Sequence, residues 1–199
     1  MRRVFGLVAM ALLLLGCTVP PDPQSTQAEI EARAYRAPGP KSITVITMIN
    51  NQTGSGGHSA LMINGSQRVI FDPAGSFRDP RVVERGDVIY GITPAWERAY
   101  KSAHARSTYH VVLQTIPVSP EQAEAALGLA IDNGPVAKSY CANATTHLLR
   151  QVPGFQDINV TFFPKRLMQQ ISLRPDVETE RYYENDAGDI LDGVAAEVF

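Results

Sequence analysis

The pattern of apolar and polar positions changes period several times along the chain, and each change predicts an element. "SITVITMI" (42–49) is rich in β-branched residues and predicts a strand, after which "NNQTGSGG" is a polar, glycine-rich loop. "HSALMI" and "RVIFD", joined by "NGSQ", predict a β-hairpin. A loop, "PAGSFRDPR", leads to a short strand through "DVIYGI", and Thr93-Pro94 then offers the cap and first turn of a helix through "AWERAYKSAHA". "TYHVVLQTI" (108–116) predicts another strand. Ser119-Pro120 opens the helix "PEQAEAALGLAIDN", with Glu121 and Gln122 in its first turn and Gly134-Pro135 as its stop. "SYCANATTHLL" predicts a helix that opens at Ser139 and runs to about Gln151, before Pro153-Gly154. The fold class expected is α+β, an antiparallel sheet packed against helices in one domain over residues 42–175. From 176 to 199 acids dominate and no period is sustained, so a solvated or partly helical acidic tail is expected.

The hairpin pattern also decides which side chains share a face. A two-residue turn at Asn64-Gly65 would pair Ile63 with Ser66 and turn Asp72 away from His58. A three-residue loop, 64–66, pairs Ile63 with Gln67, gathers Leu61, Ile63, Val69 and Phe71 on one face and sets His58 directly opposite Asp72. Burial of a continuous apolar face selects the longer loop.

The N-terminus bears on compartment. Arg2 and Arg3 precede an apolar run from Val4 to Leu15, too short for a transmembrane helix, that ends in Leu14-Leu15-Gly16-Cys17. Residues 1–16 read as a signal peptide, and the small residue before Cys17 resembles a bacterial lipobox. Cys17 would then carry fatty acyl chains such as palmitate, with proline-rich residues 17–41, which show a brief helical pattern from Gln27 to Tyr35, as a tether between lipid and domain. The expected location is the cell envelope, on the periplasmic face of a membrane and held there by lipid. Loss of the two leader arginines moves the net charge from −2 to −4, so neither nucleic acid nor a second, electrostatic membrane contact is expected.

That reading leaves Cys141 without a disulfide partner, because the chain has two cysteines and the first is lipidated. Cys141 is either a small buried hydrophobe or a nucleophile. In the first turn of a helix, unsatisfied N–H groups and the positive end of the dipole favour a thiolate. Four histidines could serve as base. His147 lies six residues on, about 240° round the helix, and points away. His104 sits on a helix expected at the surface and His110 within a strand. His58 follows Gly56-Gly57 and opens a strand, where an imidazole is both exposed and rigidly held. Asp72 is its candidate orienting group.

"GGHSALMI", "VIFDPAG" and "SYCANATTHLL", within residues 43–152, together resemble the circularly permuted branch of the papain-like, NlpC-type superfamily, which includes relatives of lecithin-retinol acyltransferase. In that branch the histidine strand precedes the cysteine helix. The resemblance implies a thiol hydrolase or acyltransferase acting on amide or ester bonds, with Cys141 as nucleophile, His58 as base and Asp72 as orienting residue. The Cys141 backbone N–H would form part of an oxyanion hole, with Tyr140 and Tyr109 as candidates for the second donor. Cell-wall peptides are the favoured substrate class from location, followed by lipid or lipoprotein acyl groups; the alternative is a non-catalytic envelope lipoprotein that uses the same frame to bind. No cofactor or metal is expected, since "TGSGGHS" lacks the lysine of a phosphate-binding loop and no paired-histidine zinc motif is present.

Overall fold

β-Branched and aliphatic residues at almost every position of Ser42–Asn50 make this strand, β1, apolar on both sides, so it must be covered on both sides. A computed structural model places it next to the central strand of one seven-stranded antiparallel sheet; residues 24–75 and 77–184 are described. The other strands are β2 (Gly56–Asn64), β3 (Arg68–Phe71), β4 (Val83–Arg85), β5 (Val88–Tyr90), β6 (Tyr109–Pro117) and β7 (Glu178–Tyr182), in the order β4-β5-β3-β2-β1-β6-β7. Among the described residues five helices accompany them: α1 (Gln27–Arg33), α2 (Pro94–His104), α3 (Pro120–Asn133), α4 (Cys141–Gln151) and α5 (Pro164–Ile171).

Alternate residues of the sheet feed two cores. Ile43, Val45, Leu61, Ile63, Val69 and Phe71 pack with Leu127 of α3, Leu148 and Leu149 of α4 and Leu167 of α5. Ile46, Met48, Ala60, Met62 and Ile70 pack on the opposite face with Ala99, Tyr100 and Ala103 of α2. Among the described residues the molecule is thus α+β, with four helices contributing to one core and one to the other. Among the described residues no helix is long and apolar enough to cross a membrane.

Several elements follow the local signals closely. Thr93 accepts a hydrogen bond from the Trp96 N–H and starts α2, while Ser119 and Gln122 form a reciprocal capping box at α3. The hairpin departs from expectation by two residues. Ile63 pairs with Val69 and Asn64 with Arg68, so the loop is 65–67, not 64–66. Tertiary partners hold Asn64 and Arg68 in the ladder: the Asn64 amide donates to Pro40 O, the Arg68 N–H donates to Tyr35 O, and the Arg68 guanidinium meets Glu97. A shift of two preserves every face, so Leu61, Ile63, Val69 and Phe71 still share one side, but His58 is no longer directly opposite Asp72.

Both ends of the expected domain also change. The described part of the tether is not loose: α1 is held by a Thr26–Glu29 capping box, buries Ile30 in the larger core, and is preceded by Ser25 bonding to Glu84. The fold therefore already includes Ser25 and α1, upstream of residue 42. Glu178–Tyr182 is no tail but the edge strand β7, paired with β6 from Val111 to Thr115. Its polar residues are those of a strand with one neighbour and much solvent. Residues 1–23, with the leader and Cys17, lie outside the described residues, as do 185–199 of the expected tail.

If α1 is a structural part of the domain, Ile30→Ala will lower the urea-unfolding free energy by about 2–5 kcal/mol, as for a buried aliphatic truncation. A change below about 0.5 kcal/mol would mean that the segment is a tether after all.

Candidate active site

β3 ends at Phe71 while β2 continues to Gly56, so residues 56–60 of β2 pair only with β1 and leave a notch at the sheet's end. Three segments meet in this notch. β2 contributes His58, the turn after β3 contributes Asp72, and the start of α4 contributes Cys141. A bulge between Met48 and Ile49, next to the Met48–His58 pair, sets the orientation of the strand at this point.

Close approach explains the two glycines before the histidine. A Cβ on Gly56 would stand 2.5 Å from the Lys165 backbone nitrogen, and one on Gly57 2.7 Å from the Tyr109 ring. β2 is thereby wedged between α5 and β6, which fixes where His58 begins. Behind Asp72 the same constraint recurs: a Cβ on Gly75 would lie 1.8 Å from Asp72 Oδ2, so the "DPAG" turn wraps directly over the carboxylate.

His58 Nε2 and Asp72 Oδ1 are 2.7 Å apart, in a diagonal contact on one face of the sheet. The Tyr100 hydroxyl donates to the same Oδ1 at 2.7 Å from within α2. Asp72 is 1% exposed. Burial alone would raise its pKa, but the His58 charge and hydrogen bond, with help from His104 and Tyr100, hold it below the ordinary carboxylate value. Tyr100 is pushed well above its ordinary pKa, by burial first and then by Asp72, and so remains a donor.

The other side of the imidazole engages the thiol. Burial would raise the Cys141 pKa, but the hydrogen bond and charge of His58 and the backbone N–H groups of Ser59 and Ala142 outweigh it, and the thiol is shifted down. For His58, burial favours the neutral ring, but Asp72 and then Cys141 overcome it and raise the pKa. The shifts are opposite in sign and share a cause: the arrangement favours a thiolate beside an imidazolium.

α4 begins at Cys141 itself. Ser139 is not the cap, because it is left-handed (φ 72°), and Tyr140 at the N-cap position makes no side-chain capping bond. No side chain therefore claims the first-turn N–H groups, and the Ala142 N–H helps to lower the thiol's pKa. The two candidate second oxyanion donors lie apart: Tyr140 is half exposed with its ring against Phe162, and Tyr109 packs over Gly57 beside His58.

The remaining histidines separate. His147 is exposed on the far side of α4, and His110 stacks on Tyr183 with Nδ1 2.7 Å from Asn51 Oδ1. His104 is not on an open surface: its ring lies against Tyr100 and parallel to His58, with centroids 6.3 Å apart. Trp96, Tyr100 and His104, spaced by four, carried a legible signal for three rings on one helix face.

Asp87 is a further residue not anticipated. Buried at a left-handed turn, it accepts from the Ala74 N–H at 2.9 Å and the Val136 N–H at 2.8 Å through Oδ2. One carboxylate oxygen thus ties the loop that carries Asp72 to the loop that leads into Cys141. Among the described residues, no group of three or more His, Cys, Asp or Glu is arranged to hold a metal ion. Comparisons of the chain with protein-family models, curated proteins and solved structures return no match.

Gly75→Ala should fold but displace the Asp72 carboxylate, and Cys141 alkylation by iodoacetamide should slow at least about tenfold, given the sensitivity of such sites to ångström-scale misplacement. A folded variant alkylated at the wild-type rate would show that the contact over Asp72 does not position the histidine.

Proposed function

We propose that this protein is a thiol hydrolase or acyltransferase, with Cys141 as nucleophile, His58 as general base and acid, and Asp72 as the group that orients and charges His58. The observation that carries this reading is the continuous line from buried Asp72 through His58 to a thiol of lowered pKa at the start of α4. A fully buried carboxylate paired with a histidine that adjoins a cysteine is costly to maintain for packing alone, since apolar residues would fill the same space without a buried charge to compensate.

In the proposed reaction the Cys141 thiolate attacks an amide or ester carbonyl, and the oxyanion is received at the N-terminus of α4, where the Cys141 N–H has no side-chain cap competing for it. The His58 imidazolium gives its proton to the departing amine or alcohol as the C–N or C–O bond breaks. A water or acceptor molecule then attacks the thioester, His58 takes its proton, and the thiolate leaves. Asp72 stays ionised throughout, held by Tyr100 and His58.

The chain order, with the histidine strand first, the acidic residue next and the cysteine helix last, supports the permuted papain-like frame as the ancestry of this site. The lipobox-like "LLGC" supports an envelope lipoprotein anchored through Cys17, and that compartment favours cell-wall peptides over acyl lipids as substrate.

Because the Cys141 pKa is lowered, its thiolate persists below the usual thiol range of about 8.5. Cys141 is therefore expected to react with iodoacetamide at neutral pH faster than cysteine in a short peptide. In His58→Ala the rate at neutral pH should drop and the midpoint of the pH profile should move up. An inert thiol in folded wild-type protein, or a profile that His58→Ala leaves unmoved, would refute the proposal.

A further inference from the structure

Beside His58, on the side of α2 and β6, opens a cleft of ≈ 360 Å³ walled by Met48, Ala103, His104, Thr108 and Tyr109. Its lining includes His58 but not Cys141. Most of this wall is apolar or aromatic, and it contains no carboxylate. Arg106 at its margin is engaged by Glu184, so the cleft does not present an open cation for an anionic ligand.

His104 gives this apolar wall one directional polar group. Its Nδ1 lies 2.8 Å from the Tyr100 carbonyl oxygen, which can only accept, so Nδ1 carries the proton. Burial, with the neighbouring His58 charge, keeps the ring neutral, against the pull of Asp72 and the Tyr100 carbonyl. In a neutral imidazole protonated at Nδ1, Nε2 is a hydrogen-bond acceptor.

During acyl transfer the acyl group stays on sulfur, while the group that departs must collect its proton from His58. A cleft that reaches His58 without reaching the sulfur is placed for the departing or arriving group. We propose that this cleft holds the amine half of the substrate and takes an apolar side chain on that amine, with His104 Nε2 accepting the N–H that His58 does not exchange. The assignment rests on the thiol acyl-transfer reading above. An incoming amine attacks the thioester carbonyl, the C–N bond forms as the C–S bond breaks, His58 takes one amine proton and the second remains on nitrogen, facing His104.

The test is the partition of a preformed acyl-enzyme. Full-length protein is acylated with p-nitrophenyl acetate, whose ester C–O bond breaks with release of p-nitrophenol, and the acetyl group is then captured by glycinamide or leucinamide in competition with water. The cleft predicts that leucinamide captures the acetyl group about tenfold or more better than glycinamide, the discrimination an apolar pocket gives for a branched side chain. Thr108→Trp, which fills the cleft from its exposed rim, should bring the ratio to about one. Because the ratio is measured on acyl-enzyme already formed, it does not depend on the acylation rate. A Cys141-dependent burst with equal capture of the two amines, or a preference that survives Thr108→Trp, would overturn the cleft assignment and leave the thiol chemistry standing. A folded protein without any Cys141-dependent burst would overturn both.

Discussion

The contact on which the site depends is the 2.7 Å hydrogen bond between His58 Nε2 and Asp72 Oδ1. A carboxylate buried to 1% exposure is tolerable only when paired, and removing one partner of such a pair typically costs about 3–5 kcal/mol. The pairing also settles the imidazole's orientation: with Nε2 committed to Asp72, Nδ1 is the nitrogen left for the thiol. Asp72 therefore acts on Cys141 at one remove, by fixing the ring and favouring its charged form. Tyr100 supports the same oxygen from the core on that same face of the sheet, which makes α2 a part of the site.

The rest of the fold brings three distant segments to that bond. The early end of β3 exposes an edge of β2, and the N-terminus of α4 meets it there, where the Ser59 and Ala142 N–H groups help to lower the thiol's pKa. Glycines at 56, 57 and 75 stand where any side chain would collide with Lys165, Tyr109 or Asp72 itself. Asp87 joins the two loops that flank the carboxylate and the thiol. These are backbone-level constraints, and they place His58, Asp72 and Cys141 more firmly than flexible side-chain contacts would.

Much of this was legible before the structure, for reasons that can be stated residue by residue. α3 carries its own capping box and proline, so its limits were local information. The face shared by His58 and Asp72 follows from alternation, whereas the register was missed by two because Tyr35 and Pro40, remote in sequence, pin Arg68 and Asn64. β4 is three residues with charged neighbours, and β7 is a polar edge strand; neither has a period long enough to detect. The helical pattern of α1 was legible between the prolines, and Thr26 and Glu29 spell a capping box, but its packing into the core depends on contacts remote in sequence. His104 and Tyr100 were visible as a four-residue spacing whose meaning depends on which face α2 buries. Asp87 offered no signal, because an aspartate in a tight turn ordinarily serves the turn alone.

The proposed chemistry depends on the charge state of the Cys141–His58 pair in the resting protein. Its most direct measurement is an ultraviolet pH titration of thiolate absorbance, taken as the difference between wild type and Cys141→Ala so that tyrosines cancel. A thiolate already present at neutral pH, and lost on acidification together with the His58 imidazole resonance shift, is the predicted result. A thiolate that forms only near the ordinary range of about 8.5, while His58 titrates independently near 6.5, would contradict it.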